Sequence, residues 1–285
     1  MDFSNYQLSD RYYGGSEKKV GILINGSPYM LKFQKKTAFG KRNNHISEYI
    51  GSHVFALMGI PSQETYLGTY KGEEVVACKD FIEPGAQFVP FNDVGESSLD
   101  QDKERYQYSY EDIMIMLRDN TKLTQVKETI HSFWGIYIVD ALLGNFDRHG
   151  SNWGFIKKNN AYSLAPVFDN GSCLFPNMVD EDEMNATIGS TSETQKRVFT
   201  FPTSQIMLNG KKSSYYEVIH SGAFPECNLA LRSVYEKLDM QKINTLIEDT
   251  LFISKTHKRF YQHMLSARFE LIIKESFELL AEDTK

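Results

Sequence analysis

The chain has 285 residues, 41% of them hydrophobic and 24% charged, which is enough apolar sequence for one large globular domain or two lobes sharing a cleft. A formal net charge of −6 argues against a broad nucleic-acid or anionic-membrane surface, and no apolar run approaches the ~20 residues that span a bilayer. Cys78, Cys173 and Cys227 are odd in number and scattered, so they offer neither a disulfide framework nor paired metal-ligand spacing.

In chain order, Tyr12-Tyr13-Gly14-Gly15-Ser16-Glu17-Lys18-Lys19 leads into a strand-like run, Val20 to Ile24. Asn25-Gly26 is a two-residue hairpin signal, and Pro28 to Gln34 is the return strand. The glycine pair can bring backbone N–H groups close to a phosphate, with Ser16 and Lys18 at hand; a plain turn is the alternative. Alternation in Tyr29 to Phe33 sets Lys32 opposite Leu31 and Phe33. His45 to Met58 reads as a helix, with Ile46, Tyr49, Ile50, Val54 and Leu57 at helical spacing, Gly59 as the stop and Pro61 after it. Glu48 lies on this helix between the apolar positions. Gln63 to Thr69 and Glu74 to Asp80 read as strands joined at Lys71-Gly72. Pro84 to Tyr110 reads as a variable insertion made of turns and a solvated charge run.

The chain turns helical from Tyr110, and a strong helix is expected from Thr124 to Leu143. At its end stands Gly144-Asn145-Phe146-Asp147-Arg148-His149-Gly150-Ser151-Asn152. Asp147 and Asn152 are five apart, the interval between the base Asp and the metal Asn of a protein-kinase catalytic loop. Asp169 follows after room for strand, turn (Lys157 to Asn160) and strand, and it suits a second metal ligand. A lone pair at this spacing recurs by chance, and both residues could merely turn the backbone. Arg148 and His149 are expected to brace the loop. Cys173 to Thr200 is expected as a polar segment after the metal Asp, and Tyr215 to Leu280 as mostly amphipathic helix.

The run Gly144 to Asn152, followed by Ala165-Pro166-Val167-Phe168-Asp169, resembles the catalytic and metal loops of the HipA-like serine/threonine kinases. Gly68-Thr69-Tyr70-Lys71 and Val75 to Phe81 narrow the likeness to the short, single-unit members, over roughly Tyr13 to Arg268. One departure is Asp-Asn-Gly in place of the Asp-Phe-Gly of ordinary protein kinases, so no aromatic switch after the metal Asp carries over.

The resemblance implies an α+β, two-lobed fold with a small, mainly antiparallel β lobe over residues 1–83. A variable insertion over 84–110 and a larger helical lobe over 111–285 would follow. It implies ATP and Mg²⁺ as cofactors and a protein Ser/Thr hydroxyl as acceptor. Gly14, Gly15, Ser16 and Lys18 would then meet phosphates, and Lys32 would be the nucleotide lysine, ion-paired with Glu48. Lys79, Asp80 and Phe81 would form the hinge along the adenine edge. Asp147 would be the base, and Asn152 and Asp169 the metal ligands. In this family a serine near the phosphate loop can be autophosphorylated. Arg11 stands in its place here, leaving Ser9, Ser16 or the hydroxyls of 187–194 as sites. A lipid or small-molecule kinase, which shares a D-R-H-x-x-N-like loop, is the rival reading. An antitoxin partner is left open, as is oligomeric state. The short stretch before the phosphate loop leads us to expect no extra N-terminal subdomain. The first residues show no basic-then-apolar leader, so a cytoplasmic protein is the simpler expectation, with delivery outside the producing cell by another route left open.

Overall fold

The computed structural model describes residues 1–14, 18–37, 40–98, 108–120, 123 and 125–282. They fall into two compact units, and the chain passes back and forth between them. The first unit comprises Met1–Phe81, Val167–Ser190 and Asp239–His263; the second comprises Ile82–Pro166, Thr191–Leu238 and Met264–Lys285.

In the first unit, Asn25 (φ 51°) and Gly26 (φ 79°) turn strand β1 (Lys19–Ile24) into β2 (Ser27–Phe33), in the left-handed geometry that an Asn-Gly hairpin requires. A short hairpin of β3 (Lys36–Thr37) and β4 (Gly40–Lys41) leads to helix α1 (Asn44–Leu57). Strands β5 (Thr65–Tyr70) and β6 (Glu73–Lys79) complete a four-stranded antiparallel sheet in the order β1-β2-β6-β5. Tyr29, Leu31 and Phe33 alternate onto one face, where they pack with Phe3, Ile22, Val75 and Ala77. Lys32 points to the other face, and α1 packs there on β5 and β6 through a fully buried Ile46, Ile50 and Val54. Gly59 (φ 71°) stops α1.

Segment 167–190 docks beside the sheet by two backbone bonds: the Gln63 N–H donates to the Val167 carbonyl and the Val167 N–H to the Pro61 carbonyl, both at 2.8 Å. Segment 239–263 supplies a helix, Met240–Asp249, that packs on α1. It also supplies His257, whose Nε2 lies 2.9 Å from Asn43 Nδ2, just before α1 begins.

The second unit is organised around a helix buried on all sides. Strand β7 (Ala86–Pro90) runs into α2 (Phe91–Ser98), then come α3 (Tyr110–Asp119) and α4 (Val126–Leu143). In α4 every residue from Phe133 to Leu143 is buried, so it is the axis of this unit and not a surface helix. Strands β8 (Gly154–Lys158) and β9 (Ala161–Leu164) form a hairpin turned by Asn159 and Asn160, both with positive φ, and β7 pairs on the free side of β8. A second hairpin, β10 (Thr203–Leu208) and β11 (Lys211–Ser214), turns at Asn209-Gly210.

Mixed helix and sheet is the class expected from the sequence, and two local readings are corrected. Pro84 to Tyr110 is not only turns, because backbone pairing with β8 imposes a strand on Ala86–Pro90 and a helix follows it; residues 99–107 lie outside the described residues. Cys173 to Thr200 carries helices at Glu181–Ile188 and Thr191–Gln195, and Asp180 caps the first by accepting from the Asp182 N–H. The β10–β11 hairpin falls in residues 201–214, before the expected helices, where no element was expected. Among the described residues, no helix is long and apolar enough to cross a membrane.

Candidate active site

The residues singled out from the sequence fall into two sets, one in each unit. In the first unit, β2 and α1 bring Lys32 and Glu48 together, with Lys32 Nζ 2.8 Å from Glu48 Oε2. The same ammonium reaches Asp169 Oδ1 at 2.9 Å. Burial by itself would lower the pKa of Lys32; Asp169 and then Glu48 outweigh it and hold the lysine well above its usual value. Lys32 therefore stays charged. Glu48 is 1% exposed, and its second oxygen accepts from the Asn170 N–H at 3.0 Å. One carboxylate thus fixes both the lysine and the loop that carries Asp169. Asp169 has φ 58°, a left-handed backbone, and its side chain is 42% exposed. Asn170 packs where α1 has Gly51; a Cβ built on Gly51 would stand 2.6 Å from Asn170 Cβ.

The expected hinge, Lys79 to Phe81, runs off the end of β6. The Lys79 N–H donates to the Glu64 carbonyl, the Asp80 N–H to the Pro28 carbonyl, and the Lys79 carbonyl accepts from Gln63 Nε2, each at 2.9 Å. The two N–H groups are thereby engaged, while the Lys79 carbonyl keeps a second lone pair. The Asp80 carboxylate is held by Arg11 and by Tyr13, whose hydroxyl burial and then Asp80 push up to about 12. Phe81 packs on Phe168, the residue before Asp169, at 5.6 Å between ring centroids. Lys18 ion-pairs with Glu73 at 2.5 Å and lies over the Phe33 ring; the Gly14 carbonyl accepts from Lys19. Gly15 and Ser16 lie outside the described residues.

In the second unit, Gly144 (φ 64°) ends α4 in the left-handed cap, and its N–H and that of Asn145 both return to the Asp140 carbonyl. The Asp140 side chain, 1% exposed, is the anchor of the loop. It accepts Arg148 Nε on one oxygen at 2.9 Å and Arg148 Nη2 on the other at 3.0 Å, and also Asn145 Nδ2 at 2.8 Å. Arg148 continues to the Asn152 carbonyl at 3.2 Å, and Asn152 Nδ2 donates to the Asp147 carbonyl at 2.9 Å. Asn145 Oδ1 accepts from the Asp147 N–H at 3.0 Å. The Asp147 carboxylate, on this fixed backbone, is 46% exposed, and His149 Nε2 stands 3.9 Å from it. A Cβ on Gly150 would stand 1.9 Å from Asn92 Oδ1, so any larger residue there would displace the Asn92 side chain. Tyr108 closes the underside, donating to the Arg148 carbonyl at 3.0 Å and accepting from Trp153 Nε1 at 2.8 Å.

Arg148 braces the loop through hydrogen bonds, the role expected for it. Sequence reasoning passed over Asp140, Asn145 and Tyr108. Asp140 had a signal: it is the one charge in the apolar run Ile136 to Leu143, and a buried carboxylate needs a partner.

Asn152 and Asp169 supply oxygen donors of the kind Mg²⁺ takes. Among the described residues no group of three or more His, Cys, Asp or Glu could hold a metal by itself.

Known proteins resemble this chain in sequence and in fold. The HipA-like C-terminal domain family matches residues 12–255. The chain is 34% identical over 282 residues to the serine/threonine-protein kinase CtkA of Helicobacter pylori (strain J99), covering 96% of this chain and 86% of that protein. It superposes on the crystal structure of a Helicobacter pylori proinflammatory kinase, CtkA, with a TM-score of 0.93 at 33% identity, covering 100% of this chain and 99% of that one. The HipA of a Shewanella oneidensis MR-1 toxin–antitoxin complex with HipB and operator DNA shares the fold, with a TM-score of 0.52 at 13% identity over 96% of this chain and 68% of that one. The chain belongs to the HipA-like family and is a kinase, a phosphotransferase of the protein-kinase-like fold.

Proposed function

We propose that this kinase transfers the γ-phosphoryl group of ATP, with Mg²⁺, to a Ser or Thr hydroxyl of a protein. The observation that carries the reading is Lys32, a buried lysine shared between a helix glutamate and the aspartate of a later loop. An ammonium kept charged in that position is suited to phosphate oxygens, and Glu48 keeps it from swinging away. Asn152 and Asp169 would each offer an oxygen to Mg²⁺, and the metal would supply neutralisation of phosphate charge. Asp147 is the base: hydrogen bonds fix its backbone, and its carboxylate, 46% exposed, would take the proton of an acceptor hydroxyl. The protein acceptor is supported by the name of the CtkA relative. A lipid or small-molecule kinase would use the same machinery, and no observation favours it. The HipA relative's complex with HipB and operator DNA leaves an antitoxin-type partner open. We further infer that Gly14, Gly15, Ser16 and Lys18 lie along the phosphates and Lys79 to Phe81 along the adenine.

The test is incubation with labelled ATP and Mg²⁺, alone and with candidate proteins, followed by phosphosite mapping. Asp169→Asn should abolish labelling while the fold survives. Asp147→Asn should cut the single-turnover rate by on the order of 10²–10⁴ and leave ATP affinity nearly unchanged. Lost ATP binding with an unchanged chemical rate would move Asp147 to the nucleotide side and overturn this division of roles.

A further inference from the structure

Phe201 is 50% exposed although it carries a large aromatic ring. Scattered exposed apolar residues are ordinary on protein surfaces. This one differs in where it stands and how firmly it is held. Its ring centroid lies 5.4 Å from that of Phe146, with the planes 35° apart. Phe146 immediately precedes Asp147, so the two Cα atoms are ~3.8 Å apart. The Phe146 carbonyl accepts from the side-chain amide of Gln205, and the Phe201 N–H donates to the Lys196 carbonyl at 3.1 Å. Arg268, 1% exposed, ties the turn before Phe201 to α4, donating from Nε to the Ala141 carbonyl and from Nη1 to the Arg197 carbonyl, each at 2.6 Å. Pro202 packs over Gly144, where an added Cβ would meet its Cγ at 3.2 Å. The aromatic pair is thus braced against the same helix end that carries the base.

We propose that Phe146 and Phe201 form a shelf that receives an apolar side chain flanking the acceptor Ser or Thr of an extended polypeptide substrate. This rests on the protein-kinase reading above. Residues of an extended chain are spaced ~3.3 Å apart, so once a hydroxyl meets Asp147 a neighbouring side chain falls within reach of the next ring. An aromatic pair rewards an alkyl or aromatic group with buried area, and it would strip water from a charged one without offering a partner. Lys196 and Arg197, the cations of the adjoining helical turn, share the single carboxylate of Glu193, so an acidic flank is the alternative against which the apolar one is tested.

The experiment uses peptides that differ only in one residue beside the acceptor, Leu or Phe against Asp, at each of the two positions on either side. Phosphopeptide formation gives kcat/KM for the wild type, Phe201→Ala, Phe201→Leu and Leu229→Ala, the last a distant exposed residue at 63%. The wild type should prefer the apolar flank at one position by about tenfold, the usual worth of a small apolar contact. Phe201→Ala should bring that ratio towards one, mainly through KM, and Phe201→Leu should restore most of it. Leu229→Ala should leave the ratio as it was. Equal kcat/KM across flanks, or a ratio unmoved in Phe201→Ala, overturns the shelf and spares the kinase reading. No phosphoryl transfer to any peptide or to the protein itself defeats that reading, and the shelf with it.

Discussion

Lys32 carries its charge where burial opposes it, and two carboxylates reverse the balance. Because Glu48 binds both Lys32 and the Asn170 N–H, the two residues act as one device. Lys32→Met should reduce turnover strongly, and Glu48→Gln to a lesser degree. Each single change already breaks the pair, so the double variant should be less impaired than the two effects added, by about 0.5–3 kcal/mol of coupling. Strictly additive effects in the cycle would show that the residues work independently. At this scale much was legible: alternation along β2 set Lys32 apart from Leu31 and Phe33, and helical spacing put Glu48 between apolar positions. The third arm of the cluster was not. Nothing local ties Lys32 to Asp169, 137 residues away, in the sense of a direct ion pair.

At the scale of elements, α1 and the loop after Val167 meet through the absence of a side chain at Gly51. Gly51→Ala would gain about 1 kcal/mol of helix propensity. It would also drive a methyl group to within 2.6 Å of Asn170 Cβ, an atom close to the backbone and unable to swing aside. Overpacking typically costs ~1–3 kcal/mol, so the clash should win. The expected outcome is a lower urea midpoint at constant slope, together with weaker ATP binding as the Asp169 loop is pushed off α1. A stabilised variant that binds ATP normally would contradict this. Elements with chemistry written in a few residues were readable, as with Asn25-Gly26 and the Gly59 stop of α1. Asn209-Gly210 carries the same hairpin signal as Asn25-Gly26 but was passed over. Ala86–Pro90 had no such signal, because a strand so short takes its conformation from the partner strand β8.

For the whole molecule, His45, His53, His257 and His263 all have lowered pKa values, with burial as the first cause in each. A histidine held neutral in the fold takes up a proton more readily when unfolded. Each therefore contributes stability that is present above the usual value of 6.5 and is lost as pH falls through it. Carboxylates with lowered pKa, such as Glu64, act in the same direction but only below the usual 4.5. Melting temperature should thus fall between about pH 7.5 and about pH 5, before any carboxylate is protonated. His257→Asn should flatten part of that slope. A flat profile over this range would show that the four imidazoles titrate as they do unfolded.

The first unit is assembled from three separated stretches of chain, and this has a consequence in time. Lys32 leaves the ribosome 137 residues ahead of Asp169. At about 5–20 residues per second this is a wait of roughly 7–30 s. Through that interval the sheet can form, but Glu48 has no Asn170 to hold and Lys32 has one carboxylate instead of two. The stretch Asp239–His263, which brings His257 to the start of α1, arrives later still. A nascent chain therefore has the four strands of the first sheet long before the cluster of Lys32, Glu48 and Asp169 is complete. On the proposed roles, translation ended before Asp169 would yield a sheet and a lysine without the loop that Glu48 holds.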